Sequence, residues 1–268
     1  MKRNHYLISI LCLFAASIFF YACKKNANGR NTLSLVDDGT VMSLAAQQYA
    51  EFISQNPPIT GTAEAAAVQR VGSSLATAVE QYLSEQGQSN LINGYQWEFN
   101  LVNNPEANAW CLPGGKIVIY TGILPLFSSD ADMAVVMGHE IAHAVLKHGN
   151  ERISQQLLVQ YGGMALSALV SQKPEETQQL FNTAFGVSST LGTLAFSRKQ
   201  ENEADEAGLY YMAIGDYDPN NAVSFWQKMQ QQNGNTSVPV LLSTHPSDEI
   251  RIEHIQSILP KALEYYNK

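Results

Sequence analysis

Cysteine is scarce in this chain: Cys12, Cys23 and Cys111 are the only three among 268 residues. That excludes a disulfide-stapled scaffold. Charge is sparse as well, at 15 % of residues. The positive sign is the rarer, with 16 Lys and Arg against 24 Asp and Glu. No basic stripe lies beyond the N-terminus, which argues against nucleic acid as a partner. Internal repeats and low-complexity tracts are missing. What remains is a 45 % hydrophobic chain, long enough for one substantial domain.

The N-terminus stands apart. Lys2 and Arg3 precede an uncharged apolar run over residues 7–22, which ends Ala22–Cys23. A positive n-region, an apolar h-region and a small residue at a cleavage point make a signal peptide, residues 1–22. The cysteine behind the small residue resembles a bacterial lipobox, with Cys23 as the lipidated residue. An uncleaved anchor is the competing reading, but the run is short for a span of ~20 residues. Either way the domain is expected to be exported and tethered to a membrane. With Cys23 lipidated, Cys111 has no partner and reads as a small buried hydrophobe. Residues 23–39 read as the lipidated cysteine and a polar linker, and residues 40–268 as the domain.

Within the domain, helical spacing covers residues 40–55 and 62–86, separated by the breaker "NPPITG". Residues 95–103 alternate like a strand, and Pro113-Gly114-Gly115 marks a turn before the β-rich run "KIVIYTG". Helices are then expected over 130–148, 152–171, 175–190, 194–214, 219–232 and 247–266. The class is α+β, mainly helical, with one small sheet.

The stretch "MGHEIAHAVLKHG", residues 137–149, lies in a helix that is apolar nearly all round, and such a helix is buried. Ser129 with Asp132 suggests a capping box at its start, and Gly149 a C-cap at its end. His139 and His143 project about 40° apart on one face. Two imidazoles one turn apart can grip one cation, and Glu140 lies to the side, placed to take a proton from a polarised water. Unpaired, these groups would be costly to bury. His148 falls on the far side and reads as a residue interacting with the helix dipole, not a ligand.

A catalytic zinc needs a third protein ligand. The metzincin spacing fails, because Leu146 and Gly149 occupy its positions. His245, His254 and acidic residues remain. In "SRKQENEADEAG", Glu201 and Asp205 share a helix face, where like charges repel unless a cation or a histidine N–H intervenes. Glu201 is thus a natural ligand and Asp205 a natural acceptor that orients a ligating histidine. Glu203 points elsewhere. A solvated acidic face is the competing reading.

H-E-x-x-H followed by S-R-x-x-E-x-E-A-D resembles the membrane-associated zinc peptidases grouped with the CAAX prenyl endopeptidase and HtpX. "NAWCLPGGKIVIYTGIL", "HGNERIS" and "THPSDEIRI" are similar to the soluble branch of BepA, LoiP and the Oma-type peptidases. The resemblance covers about residues 40–265. It implies a zincin (gluzincin-like) domain with one Zn2+ on His139, His143 and Glu201, and Glu140 as the base. It also implies Asp205 as the supporting acid and His245 as a residue near the zinc, either occluding it or stabilising the oxyanion. Arg251 is expected beside the site. Without the resemblance, His245 reads as a helix-start residue and Arg251 as a surface ion pair. By the same resemblance Gly115, Lys116, Ile117, Val118 and Ile119 form an exposed edge strand that pairs with substrate main chain; ordinary sheet core is the competing reading, and both can hold, since alternate residues face opposite ways. Residues 150–193 can cover the groove.

The expected activity is zinc-dependent endopeptidase action on unfolded or misassembled envelope proteins, with membrane attachment through the lipid. The other reading is a lipoprotein that holds envelope proteins with latent or secondary proteolysis. A small-molecule metallohydrolase is disfavoured by the substrate-strand motif.

Overall fold

A computed structural model describes residues 23–162, 164–185, 196–231, 240–245 and 249–266. The expected signal segment 1–22 lies outside them, as does most of the stretch between the two halves of the H-E-x-x-H and E-x-E-A-D pattern beyond residue 185. Pro246 is also outside. Among the described residues no helix is long and apolar enough to cross a membrane.

The segment read as a linker is instead a hairpin seated on the domain. β1 (Cys23–Lys25) pairs antiparallel with β2 (Asn31–Leu33). Its turn is closed by the Asn26 carboxamide, whose Oδ1 accepts from the amides of Asn28 and Arg30. The turn thereby presents Arg30 to the domain, where two acids take its guanidinium. That pairing is why a polar, Asn-rich stretch does not stay free.

Two long helices follow, as expected. α1 (Asp38–Gln55) is capped by Asp37 and α2 (Ala63–Glu85) by Thr62. β3 (Glu98–Val102), β4 (Ala109–Leu112) and β5 (Lys116–Tyr120) form a three-stranded sheet in the order β3-β5-β4. β5 runs parallel to β3 and antiparallel to β4, and the expected Pro-Gly-Gly turn joins β4 to β5.

Here one expectation is corrected. Residues 115–119 do not form an edge strand, because β5 is hydrogen-bonded on both sides and all five of its residues are buried. Ile117 and Ile119 face one half of the core, Val118 and Tyr120 the other. An unbroken apolar run is the pattern of a strand covered on both faces. β4 is the edge that packs along the metal helix.

That helix, α3 (Asp130–Val145), begins at Ser129, whose hydroxyl accepts from the Asp132 amide. The Asp132 carboxylate accepts in return from Ser128, 2.8 Å away, so the box closes one residue early. Every residue from Asp132 to Val145 is buried. The helix ends sooner than expected. Lys147 adopts the left-handed conformation, φ 60°, and His148 opens α4 (His148–Tyr161). Gly149 is not a cap. A Cβ there would sit 2.2 Å from the ring of Phe185, so glycine is required for close approach. The helix expected over 152–171 is likewise two, broken at Gly162 (φ 62°) before α5 (Leu166–Gln172). α6 (Pro174–Phe185) then lays Phe181 and Phe185 into the same core as Trp110 and Leu112 of β4.

α7 (Arg198–Ile214) carries a full capping box, Ser197 with Gln200. It packs against α3 and against the last long helix. α8 (Asn221–Gln231), the short α9 (Val240–Thr244) and α10 (Glu249–Tyr266) complete the described chain. The architecture is α+β, a mainly helical zincin-like domain with one small three-stranded sheet.

Candidate metal centre

Burial of α3 leaves its two histidines nowhere to go but inward. α7 crosses beside it and supplies Glu201 and Asp205 from one face, at i and i+4. His245, just past α9, and Arg251, on the first turn of α10, close the cluster from the other side. None of these side chains' residues, nor Glu140, is more than 5 % exposed, so the site is shielded from bulk water.

His139, His143, Glu201 and His245 each direct one ligand atom into a common space, all within 4.8 Å of one another. His139 Nε2 lies 3.0 Å from His143 Nε2 and 3.1 Å from His245 Nδ1. Glu201 Oε1 lies 3.3 Å from His143 Nε2 and 3.0 Å from His245 Nδ1, and its Oε2 lies 3.6 Å from His139 Nε2. Ligand atoms around a tetrahedral zinc stand roughly 3.3 Å apart, given bonds of about 2.0–2.1 Å. The donor set therefore fits zinc in size and chemistry. Two orphaned atoms agree. Glu140 Oε1 and Glu201 Oε2 are buried and accept no hydrogen bond among the described residues, although Arg251 Nη1 is 3.1 Å from the latter.

The supporting groups fix this arrangement. His139 Nδ1 donates to Asp205 Oδ1 at 2.8 Å, which turns Nε2 toward the common space. Arg251 grips Asp205 with two bonds, Nε to Oδ2 at 2.8 Å and Nη2 to Oδ1 at 2.7 Å, and lies over the Trp226 ring at 3.5 Å. Phe196 covers the outer side, its ring centroid 4.0 Å from that of His143. His245 Nε2 approaches Glu140 Oε1 to 3.4 Å.

The electrostatics follow from burial and neighbours. Burial raises the pKa of Glu140. Burial also opposes ionisation of Glu201, but His245, Arg251 and His139 outweigh it and hold that carboxyl well below the usual range. For His143, burial beside His139 pushes the imidazole well below its ordinary value, so it stands neutral, as a ligand must.

The structure thus brings together His139, Glu140, His143, Glu201, Asp205, His245 and Arg251. His254 stays outside. Cys111 is a free, buried thiol, and Cys23 lies at the start of β1, away from this cluster in sequence and element. His148 departs from expectation. It is fully buried, and its Nδ1 lies 2.9 Å from His143 Nδ1, because the turn at Lys147 swings it back toward α3. Trp226 and Phe196 carried no signal in the sequence, since an isolated aromatic does not reveal which residue it covers.

A buried helix with two histidines one turn apart, a glutamate beside them and a carboxylate from a second helix define a metallopeptidase domain. Residues 63–259 match the model of Peptidase family M48, and the chain belongs to that family. It is similar to the mitochondrial metalloendopeptidase OMA1 of Arabidopsis thaliana, 38 % identical over 179 residues, 66 % of this chain and 35 % of that protein. The OMA1 of Schizosaccharomyces pombe is 33 % identical over 189 residues, 70 % of this chain and 53 % of that protein. The β-barrel assembly-enhancing protease of Escherichia coli is 28 % identical over 162 residues, 58 % of this chain and 33 % of that protein. The chain spans between about a third and about half the length of these relatives.

Proposed function

We propose that the metal is a single zinc, held by His139, His143 and Glu201, and that the enzyme cleaves unfolded or misassembled proteins of the cell envelope. The observation that carries this reading is the convergence of His139 Nε2, His143 Nε2 and Glu201 Oε1 beside the orphaned Glu140 Oε1. When bound, zinc polarises the scissile carbonyl and lowers the pKa of the attacking water. Glu140 takes that water's proton and passes it to the leaving amine. Burial raises its pKa, which suits a base that must return the proton. Asp205 and Arg251 hold His139 in the ligating tautomer.

The resting enzyme is self-capped. His245 occupies the fourth corner of the ligand set, and α6, from the segment between the two metal helices, packs its Phe181 and Phe185 into the same core as β4. Lipidation at Cys23 would place the domain on an envelope membrane. The names of the relatives, a mitochondrial endopeptidase and a protease of β-barrel assembly, support quality control at a membrane as the setting.

The test uses full-length protein in detergent, with bound zinc and casein hydrolysis measured together. Wild type is expected to hold one zinc per chain and to cleave. Glu140→Gln should keep the zinc and slow cleavage by about 10²–10⁴-fold. Zinc without cleavage in wild type would favour the holding role. No zinc in folded protein would refute the assignment of the ligands.

A further inference from the structure

His143 Nδ1 faces His148 Nδ1 at 2.9 Å, and His148 Nε2 faces Glu203 Oε2 at 3.0 Å. A carboxylate only accepts, so His148 Nε2 carries the proton and its Nδ1 accepts from His143 Nδ1–H. That fixes the tautomer of His143 whose Nε2 is free to ligate. Glu203 is itself fixed from the N-terminal hairpin. Arg30 Nε donates to its Oε1 at 2.6 Å, Arg30 Nη2 to its Oε2 at 3.1 Å, and Asn26 Nδ2 to the same oxygen at 3.0 Å. The remaining edge of Arg30 pairs with both oxygens of Glu151 at 2.7 Å. Glu151 in turn accepts from Gln200, the capping-box residue of the helix that bears Glu201. The chain Arg30–Glu203–His148–His143 therefore runs without a gap from the hairpin that follows the expected anchor to an imidazole of the metal site.

We propose that His148 and Glu203 are positioning residues for His143, and that the N-terminal hairpin, through Arg30, is part of the support of the metal site. His139 and His143 then have separate supports of the same kind. Asp205 with Arg251 orients the first, and His148 with Glu203 and Arg30 orients the second. Displacement of the hairpin would loosen the support of His143, which would make the N-terminal hairpin a determinant of zinc retention. This rests on the reading of His143 as a zinc ligand.

The test is zinc affinity by chelator competition on the full-length protein, with folding checked by circular dichroism, for wild type, His148→Phe, His148→Asn and Arg30→Ala. Outer-shell partners of metal ligands are typically worth 10–100-fold in affinity. His148→Phe, which keeps a buried ring but no acceptor, is expected to weaken zinc binding by about that factor. His148→Asn places a carboxamide oxygen near the former Nδ1 and should restore most of the affinity. Arg30→Ala should weaken binding in the same direction, and the cobalt-substituted protein should show a shifted visible spectrum. Folded His148→Phe with wild-type affinity would overturn the proposal, as would equal losses in Phe and Asn. Should His148→Phe not fold, Arg30→Ala decides: weaker zinc supports the chain, unchanged affinity and spectrum overturn it. Absence of zinc from wild type would instead refute the ligand assignment itself.

Discussion

Gly138 and Gly208 meet backbone to backbone where α3 crosses α7. A Cβ built on Gly208 would lie 3.0 Å from the Gly138 carbonyl carbon and 3.0 Å from the His139 amide nitrogen. His139 follows Gly138 directly, and Gly208 continues the face that carries Glu201 and Asp205. The two glycines thus set the separation of the helices that bear the metal ligands. Gly208→Val is expected to cost about 1–3 kcal/mol through overpacking and to weaken zinc binding. Thermal melts with zinc titration would check both, and an unchanged affinity in the folded variant would remove the contact from the account of the site.

Zinc removal has its own signature. The buried cluster gathers three imidazoles and a carboxylate whose convergence a cation favours. Zinc at about 100 times its dissociation constant should stabilise the fold by about 2.7 kcal/mol. A chelator should therefore lower the melting temperature, and added zinc should restore it. A melting temperature indifferent to chelation would mean that the cluster is not a metal site.

His245→Ala tests the cap. With His245 Nδ1 3.0 Å from Glu201 Oε1 and 3.1 Å from His139 Nε2, its removal should open the fourth position. Casein hydrolysis is expected to rise at unchanged zinc content. Slower hydrolysis would instead give His245 a direct part in cleavage.

Arg251 is the buried cation of the cluster, bonded twice to Asp205 and lying over Trp226. Arg251→Met leaves Asp205 and Glu201 without it. Removing one partner of a buried ion pair costs about 3–5 kcal/mol. A urea titration should show that loss. A stability within 1 kcal/mol of wild type, on the order of an ordinary surface change, would show that His139 and solvent suffice for Asp205.

Much of the site was legible in sequence because its signals are local. Spacing along one helix put His139 and His143 on one face, and spacing along another put Glu201 with Asp205. Burial of α3 followed from its apolar circumference. The sheet was harder. The run Lys116–Tyr120 was recognisable as a strand, but pairing order is a contest between strands. Only the fold shows β5 at the centre and β4 at the edge. Arg30 lay hidden for a similar reason, since a lone arginine in a polar stretch gives no hint of acids more than a hundred residues away.

His148 marks the boundary between the two kinds of information. Sequence alone determined that two imidazoles and a glutamate would share a buried helix, because helical periodicity is a property of the chain itself. The same rule put the candidate ligand Glu201 and its neighbour Asp205 on one face of a second helix, though a solvated acidic face remained open until the fold was seen. Tertiary structure decided what stands behind each ligand. The left-handed turn at Lys147 reverses the direction of His148, and the docking of a distant hairpin sets Glu203 against it. Such contacts depend on long-range packing of segments that carry no shared period, so no local pattern could have announced them.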